Sequence, residues 1–256
     1  MKQRTLEVLF TPAEFNALPA RDLSQTVCVV FDVLRATSVM VTALSEGATG
    51  LIPVSTIEEA VGQYRMKPEF LLAGERHGLR ITAAQSGGVD FILGNSPREF
   101  TAEKVKGRTI VTTTTNGTRA LQACRGASEV LVGAFLNLDV VADRLMKEQE
   151  RSVIIVCSGT GEEAAFEDTL AAGALCEVLL SSGFAGQVID SAQITKAVYL
   201  QEKDDLLGAM QRASNGARLL GMPDLKEDVA FCLRRNAVPV VAGMEKDGVV
   251  RRLDML

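Results

Sequence analysis

The chain has 256 residues, and its 27 lysine and arginine residues against 32 aspartate and glutamate residues give a formal charge of −5. Apolar residues make up 47% of the chain and charged residues 23%, a composition that is typical of globular proteins and excludes a disordered or collagen-like chain. One histidine and no tryptophan are present. Because catalytic zinc sites usually draw on two or three imidazoles, we expect acid, base or metal chemistry in this chain to depend on carboxylates.

Short β-branched segments alternate with alanine-rich segments, which predicts an α/β protein of three α/β/α layers with a largely parallel or mixed sheet. The predicted strands are Thr5–Phe10, Thr26–Phe31, Leu51–Val54, Phe70–Gly74, Thr109–Thr113, Glu129–Gly133, Ser152–Cys157 and Val188–Asp190. The predicted helices are Ala36–Glu46, Thr56–Met66, a helix capped by Ser96, Thr118–Cys124, Asp139–Glu150, Phe166–Ser181 and Leu206–Leu219. The segments Val238–Met244 and Val249–Leu253 flank Lys246-Asp247-Gly248 and predict a C-terminal β-hairpin.

The chain is predicted to form one unit over residues 1–256, with two closely packed subdomains divided near residues 135–150 as the alternative. The five cysteines are widely spaced, and no apolar segment reaches the roughly 18 residues of a membrane helix, so we expect a cytoplasmic protein without a membrane partner. The acidic charge and the two tyrosines argue against a nucleic-acid partner. A homo-oligomer, with a dimer as the default, is the expected assembly.

One arrangement occurs three times: an apolar strand ends in a polar loop that leads into a helix. The three strings are VCVVFDVLRATSVMVTAL, TIVTTTTNGTRAL and SVIIVCSGTGEEAAFEDTLAAGAL. Because helix N-termini present unpaired backbone N–H groups and the positive end of the helix dipole, we expect the three loops to converge on one anionic ligand. The common occurrence of Thr, Ser, Asn and Gly in turns accounts equally well for any single loop.

The segment Gly159–Ala164 follows an apolar strand and matches the dinucleotide fingerprint G-x-G-x-x-G/A. Glu162 and Glu163 would lie where a pyrophosphate needs hydrogen-bond donors. An NAD(P)-binding enzyme that uses this segment therefore stays a second hypothesis.

At two points of the sequence, an acidic residue and a basic residue follow the end of a predicted strand. Asp32 follows an apolar strand with Arg35 three residues later, and Glu75 and Arg76 follow the strand that ends at Gly74. A carboxylate beside a guanidinium suits a Mg²⁺ ligand with an anion clamp, although either pair alone is more typical of a surface ion pair. The loop between residues 75 and 95 has the length of an active-site loop or lid.

Further polar residues of these loops are candidates for binding an anionic substrate through hydroxyl, amide, guanidinium and backbone N–H groups. They are Asn95, Ser96, Asn116, Gly117, Thr118, Arg119, Ser158 and Gly159. Glu167 and Asp168 open the next predicted helix, where they either face the loops or favour the helix dipole. Because Mg²⁺ takes oxygen ligands, the candidate ligands are Asp32, Glu75 and one of Glu167 or Asp168.

The strings VVFDVLRATSVMVTALSEGA, LLAGER, GNSPREF, TTTTNGTRAL and CSGTGEEAAFED occur in this order within the first 170 residues. In them the chain resembles the 2-phosphosulfolactate phosphatase family. The resemblance implies an α/β/α fold and a Mg²⁺-dependent acid phosphatase that acts on 2-phospho-3-sulfolactate in coenzyme M biosynthesis. The link HGLRITAAQSGGVDFIL departs from the shorter link that is usual in the family, so we expect the phosphatase chemistry to hold more firmly than the substrate.

The expected reaction is metal-assisted hydrolysis of a phosphate monoester, with water attacking in line. Arg35, Arg76 and Arg119 match the three anionic groups of phosphosulfolactate. Asp32, Arg35 and Asp168 are the predicted catalytic residues, and Asp32 or Asp168 accepts the proton of the water. A covalent aspartyl phosphate on Asp32 stays open. A phosphatase of another phosphorylated hydroxy acid and a non-catalytic relative that binds anions stay open as well.

Overall fold

The computed structural model of the chain describes residues 3–253, so both ends of the predicted 1–256 unit lie outside the described residues. Its strands are β1 Thr5–Leu9, β2 Thr26–Phe31, β3 Gly50–Pro53, β4 Leu71–Arg76, β5 Leu79–Arg80, β6 Thr109–Thr113, β7 Glu129–Gly133, β8 Ser152–Cys157, β9 Gln187–Val188, β10 Ala242–Met244 and β11 Val250–Arg252. Its α-helices are α1 Pro12–Asn16, α2 Ala36–Ser45, α3 Ile57–Met66, α4 Ala102–Val105, α5 Gly117–Ala123, α6 Leu138–Lys147, α7 Phe166–Ser181, α8 Asp190–Glu202, α9 Leu206–Arg212, α10 Ser214–Leu220 and α11 Lys226–Cys232.

The described strands form one mixed sheet in the order β5-β4-β6-β3-β11-β10-β7-β2-β8-β1-β9. One block of parallel strands is β4-β6-β3, and the other is β7-β2-β8-β1-β9. The hairpin β10–β11 lies between the two blocks and pairs antiparallel with β7 and with β3. The predicted mixed sheet and C-terminal hairpin are confirmed, and the hairpin lies inside the sheet rather than at its edge.

Side chains of the central strand β2 alternate between two apolar layers. Val27, Val29 and Phe31 pack against a cluster that includes α6, α7 and α8. Cys28 and Val30 face the opposite side, where they pack in a cluster with α2 and α5. Because every residue of β2 is buried, the loop that follows it is anchored at a fixed depth in the molecule.

Four strands, β2, β6, β7 and β8, have their predicted bounds. The N-cap predicted at Thr56 is also confirmed, because its hydroxyl accepts a hydrogen bond from the Glu59 N–H at 3.1 Å. The five cysteines are buried and free. Whether the chain forms one unit or two subdomains stays a prediction.

Two predictions near the C-terminus are wrong. The helix predicted over Leu206–Leu219 is divided into α9 and α10 at Ala213, whose backbone is extended. The small residues allow α10 to fold back, since a Cβ atom on Gly216 would lie 2.6 Å from the Met210 carbonyl oxygen. The strand predicted over Val188–Asp190 ends at residue 188, because Asp190 begins α8.

No helix in the range 3–253 combines the length and the apolar character needed to cross a membrane.

Candidate active site

Loops that follow four strands line a cleft of about 420 Å³. They are residues 32–35 after β2, 75–78 at the β4–β5 hairpin, 114–116 after β6 and 159–161 after β8. Helix α10 completes the wall with Asn215 and Arg218. The structure therefore brings the three repeated loops together with the β4–β5 hairpin, although their strands belong to both parallel blocks of the sheet.

Asp32 is a buried carboxylate of the cleft wall. Its Oδ1 atom accepts a hydrogen bond from the Ala36 N–H at 3.0 Å, at the beginning of α2. The pKa of Asp32 is raised from 3.8 to about 6. Burial is the largest cause, the charges of Glu75 and Glu167 add to it, and the Ala36 N–H acts in the opposite direction. Among the residues that the structure describes, no lysine, arginine or histidine forms an ion pair with Asp32. The site therefore contains a carboxylate that burial makes unusually basic.

Glu75 joins two of the loops. Its Oε2 atom accepts a hydrogen bond from the Gly78 N–H at 2.7 Å, and its Oε1 atom accepts from the Thr115 N–H at 3.1 Å and the Thr115 hydroxyl at 3.0 Å. The neighbouring Arg76 donates to the carbonyl and hydroxyl oxygens of Thr113. Glu75 thus lines the cleft and holds the hairpin tip against the loop after β6.

Asp168 lies behind the cleft wall and connects the loops after β2 and β8. Its Oδ1 atom accepts from the Val33 N–H at 2.8 Å, and its Oδ2 atom accepts from the Ser158 hydroxyl at 3.1 Å and the Gly159 N–H at 3.2 Å. Burial raises the pKa of Asp168 well above its usual range, and the nearby charge of Asp32 adds to this effect. Three donors thus engage both oxygens of Asp168, and the residue itself does not line the cleft.

One carboxylate oxygen and one amide oxygen of the site are buried without a hydrogen-bond donor among residues 3–253, namely Glu167 Oε2 and Asn116 Oδ1. The second carboxylate oxygen of Glu167 accepts from the Asn215 amide at 2.8 Å. Burial raises the pKa of Glu167, against smaller lowering effects of the Asn215 amide and the Arg218 charge. Asn116 donates to the carbonyl oxygens of Ser158 at 3.1 Å and Gly161 at 2.9 Å. The unpartnered oxygens are spare acceptors beside an already acidic cleft.

The three arginines predicted from the sequence have different surroundings. Arg35 is buried and pairs with Asp228 at 2.6 Å, while its second nitrogen donates to the Gly78 carbonyl at 2.8 Å. Arg76 lines the cleft. Arg119 pairs with the exposed Glu162 at 2.9 Å and is absent from the residues that line the cleft.

The candidate residues fall into three groups by their position relative to the cleft. One group contains only Arg119, which lies outside the cleft. Those that line the cleft are Asp32, Arg35, Glu75, Arg76, Asn95, Asn116 and Gly159. Those that are buried but do not line it are Ser96, Gly117, Thr118, Ser158, Glu167 and Asp168. Ser96 does not cap a helix with its side chain, because its hydroxyl donates to Asp228 Oδ1 at 2.7 Å. Thr118 donates to the Thr114 carbonyl at 3.2 Å within the first turn of α5.

Sequence reasoning missed the C-terminal part of the site, which consists of Asn215, Arg218 and Asp228. Asn215 and Arg218 are three residues apart and therefore share one face of α10. That spacing is a visible signal, but helical periodicity predicts a longer helix over this segment, with a different orientation. Asp228 carries no local signal, since its role depends on its contact with Arg35 from a distant segment.

The geometry of residues 159–164 differs from that of a dinucleotide-binding turn. Thr160 and Glu163 pair through backbone hydrogen bonds of 2.9 and 3.2 Å, which closes a compact turn within the loop. Helix α7 begins only at Phe166, so the two glycines do not open a helix as the fingerprint requires. No feature of this loop favours the NAD(P) hypothesis.

Gly117 provides a test of how closely α5 must approach the buried carboxylate. A Cβ atom at this position would lie 2.6 Å from Asp32 Oδ2 and 2.8 Å from the Cβ atom of Ala36. We expect Gly117→Ala to lower kcat/KM by about 10-fold or more, because it displaces Asp32, which the sequence predicts to be catalytic. The matched control is Gly62→Ala in α3, where the new methyl group meets no atom within 4 Å. Equal activity of the two variants would contradict this placement of Asp32.

Comparisons with known proteins identify the family of this chain. A sequence profile described as 2-phosphosulpholactate phosphatase matches residues 13–247. A relative from Caldanaerobacter subterraneus subsp. tengcongensis is 40% identical over 247 residues, which cover 95% of this chain and 97% of the relative. Relatives from Clostridium acetobutylicum and Symbiobacterium thermophilum are 36% and 35% identical, and the alignments cover 83% and 92% of this chain and 87% and 98% of those proteins.

All three relatives carry the name probable 2-phosphosulfolactate phosphatase. The match over most of the chain confirms the prediction of a phosphoric monoester hydrolase. The chain belongs to the 2-phosphosulfolactate phosphatase family.

Proposed function

We propose that this protein is a Mg²⁺-dependent phosphatase that hydrolyses 2-phosphosulfolactate to sulfolactate and inorganic phosphate. The observation that carries the proposal is Asp32, a buried carboxylate without a cationic partner among the described residues, in a cleft that is also lined by Arg76 and Arg218. Such a cleft offers a proton acceptor beside groups that bind anions. The family to which the chain belongs supports the same chemistry.

The donor atoms around Asp32 suit a hard cation. They are carboxylate, amide and backbone oxygens, which Mg²⁺ prefers, and the unpartnered Asn116 Oδ1 is one of them. Within the described range, no three histidine, cysteine or carboxylate side chains are placed to hold a metal ion together. Mg²⁺ commonly takes one or two carboxylates and fills its other positions with water and substrate phosphate, so the proposed site needs only two carboxylates from the chain.

Asp32 and Glu75 are the carboxylates of the cleft that would hold the ion. When bound, Mg²⁺ neutralises charge on the phosphoryl oxygens and makes water more acidic. Glu167 and Asp168 are further candidates, although both lie behind the cleft wall.

Residues of the chain itself would orient the ester and accept a proton. Arg76 and Arg218 bind acidic oxygens through charge-assisted hydrogen bonds, and Arg35 is held in the wall by Asp228. In the metal-free cleft the pKa of Asp32 is about 6, so its carboxylate is ionised at neutral pH. The Asp32 oxygen that does not hold the ion is the proposed acceptor for the proton of the attacking water. We favour Asp32 over Asp168 for this step, because Asp32 lines the cleft whereas both oxygens of Asp168 are engaged behind its wall.

The proposal is tested by the release of inorganic phosphate from a panel of esters in the presence of Mg²⁺. The panel contains 2-phosphosulfolactate, 2-phospholactate, which lacks the sulfonate, and phenyl phosphate, which lacks both acid groups. We expect kcat/KM to fall by roughly 10–100-fold for each acid group removed, since each loses a charge-assisted hydrogen bond. A higher value for another phosphorylated hydroxy acid would change the substrate but not the chemistry. No release from any ester would favour a non-catalytic relative.

Metal dependence is tested in the same assay by treatment with EDTA followed by addition of Mg²⁺. We expect phosphate release to disappear with EDTA and to return with Mg²⁺, because without the ion the phosphoryl group would lie against the negative charges of Asp32 and Glu75. Undiminished turnover in EDTA would contradict the proposed cofactor.

Three broader proposals accompany this function. A role in coenzyme M biosynthesis follows only where the host makes that coenzyme. The cytoplasm is the proposed location, which suits five cysteines that are all free and buried. The proposed assembly is a homodimer, for which the molar mass in solution is the direct test.

A further inference from the structure

The arginines of the cleft differ in whether their charge is already neutralised. Arg35 pairs with the buried Asp228, and Arg119 pairs with Glu162 outside the cleft. Arg76 and Arg218 donate to uncharged acceptors, and within residues 3–253 neither forms an ion pair with a carboxylate. Two positive charges in the cleft are therefore available to a ligand.

Arg218 is fixed in its position by neighbouring groups. One nitrogen, Nη1, donates to the His77 carbonyl at 3.1 Å, and the other, Nη2, donates to Asn215 Oδ1 at 2.6 Å. Asn215 is buried and donates in turn to the carbonyl of Leu34 and the carboxylate of Glu167, both at 2.8 Å. A guanidinium has five N–H donors, so these contacts orient it while leaving donors for a ligand.

The hairpin tip fits closely around this guanidinium. A Cβ atom on Gly78 would lie 2.6 Å from Nη1 of Arg218. The same tip is held by Glu75 through the Gly78 N–H and by Arg35 through the Gly78 carbonyl. The hairpin tip at residues 77–78 and helix α10 thus form one rim of the cleft, with Arg218 at their contact.

Asp32 and Arg218 lie at different depths of the cleft. Asp32 is buried in the wall, whereas Arg218 is an exposed residue. A phosphoryl group that reacts beside Asp32 leaves the remaining part of the substrate to extend toward the rim. The charge available there suits a second acid group rather than an uncharged one.

We propose that Arg218, held by Asn215 and the 77–78 hairpin tip, binds the acid group of the substrate that is remote from the phosphoryl group. The inference rests on the proposed function and adds the residue that selects esters with an acid group at that end, which in 2-phosphosulfolactate is the sulfonate. Arg218 is thereby a specificity-determining residue, and Asn215 is its positioning residue.

The test compares Arg218→Ala with Arg212→Ala, a matched control in α9 whose arginine pairs with Glu202 at the surface. For Arg218→Ala we expect KM for 2-phosphosulfolactate to rise by about 30-fold, because a charge-assisted contact is lost, with kcat changed by less than about 3-fold. The inhibition constant of inorganic phosphate, which lacks a remote acid group, should stay at the wild-type value. Arg218→Lys keeps the charge and should recover part of the affinity.

An unchanged KM in Arg218→Ala, or equally weakened binding of 2-phosphosulfolactate and of inorganic phosphate, would overturn the inference.

A second measurement separates this outcome from failure of the proposed function. Calorimetric binding of sulfolactate and of lactate to wild type and Arg218→Ala requires no turnover. If wild type hydrolyses no ester but its preference for sulfolactate is lost in Arg218→Ala, the proposed function fails and the role of Arg218 stands. If wild type hydrolyses the ester and the variant binds sulfolactate equally well, only the inference fails.

Discussion

Asp32→Asn is expected to abolish phosphate release and to stabilise the metal-free protein. We expect kcat to fall by about 1,000-fold, because the variant loses the proton acceptor of the cleft. Its stability should rise because burial and the charges of Glu75 and Glu167 raise the pKa of Asp32 from 3.8 to about 6. Keeping this carboxylate ionised in the fold at neutral pH costs up to roughly 3 kcal/mol, and asparagine removes that cost.

The free energy of unfolding of the metal-free wild type is expected to fall as the pH rises from 3.8 to about 6, because Asp32 ionises over this range. The pKa of Asp32 is higher in the folded chain than in the unfolded chain, so its contribution to stability is complete below pH 3.8 and is lost as the pH rises to about 6. The advantage of Asp32→Asn over wild type should therefore be largest at neutral pH and should shrink as the pH falls toward about 4.

Urea unfolding of both proteins in EDTA, repeated across this pH range, measures the effect. The control Asp143→Asn replaces an exposed aspartate of α6 and should change neither activity nor stability. Lower stability of Asp32→Asn than of wild type at neutral pH would contradict the stated cost of the buried charge.

Asp228→Ala is expected to cause a large loss of stability. The Asp228 side chain is fully buried, and Arg35, which pairs with it at 2.6 Å, is 2% exposed. Asp228 also accepts from the Ser96 hydroxyl at 2.7 Å. Removal of one partner leaves a buried guanidinium uncompensated, which costs about 3–5 kcal/mol. The same change frees Arg35 from its position in the cleft wall, so we expect activity to fall as well.

Two further variants separate loss of charge from loss of fold. Asp228→Asn keeps the shape and one of the two acceptor oxygens but removes the charge, so the kcat/KM of folded protein reports on the position of Arg35. Glu162→Ala breaks an exposed ion pair with Arg119 and should cost less than about 1 kcal/mol. Thermal unfolding of the three variants measures the difference. If Asp228→Ala were as stable as Glu162→Ala, the predicted stabilising effect of the buried Arg35–Asp228 pair would be contradicted.

Local sequence signals predict much of the fold because they act within one segment. The apolar residues of β2 and β8 identify strands that are buried on both sides, and their bounds agree with the structure. The break at Ala213 is not predictable from helical periodicity, because both flanking segments favour helix and the break depends on packing of α10 against α9. Likewise, the turn sequence predicts the hairpin β10–β11, whereas its place between two parallel blocks depends on long-range pairing.

The sequence predicts site residues where a carboxylate or amide side chain lies near the end of a predicted strand. Asp32 and Asn116 follow strand ends and line the cleft, as the repeated strand–loop–helix pattern indicates. Glu75 also lines the cleft, but it lies within the last two residues of β4 rather than after the strand. Arg119 has the same kind of sequence context, but its guanidinium pairs with Glu162 instead. A loop sequence does not determine on which side of a helix a long side chain lies. Arg218 takes part in the cleft because α10 folds back, which no local pattern contains.

A crystal structure obtained with Mg²⁺ and sulfolactate tests the central claim most directly. We predict that the metal binds carboxylate oxygens of the cleft that include Asp32, and that sulfolactate lies between the loops after β2, β4, β6 and β8 with an acid group on Arg218. Binding of the metal and sulfolactate away from these loops, with the cleft filled only by solvent, would contradict the account.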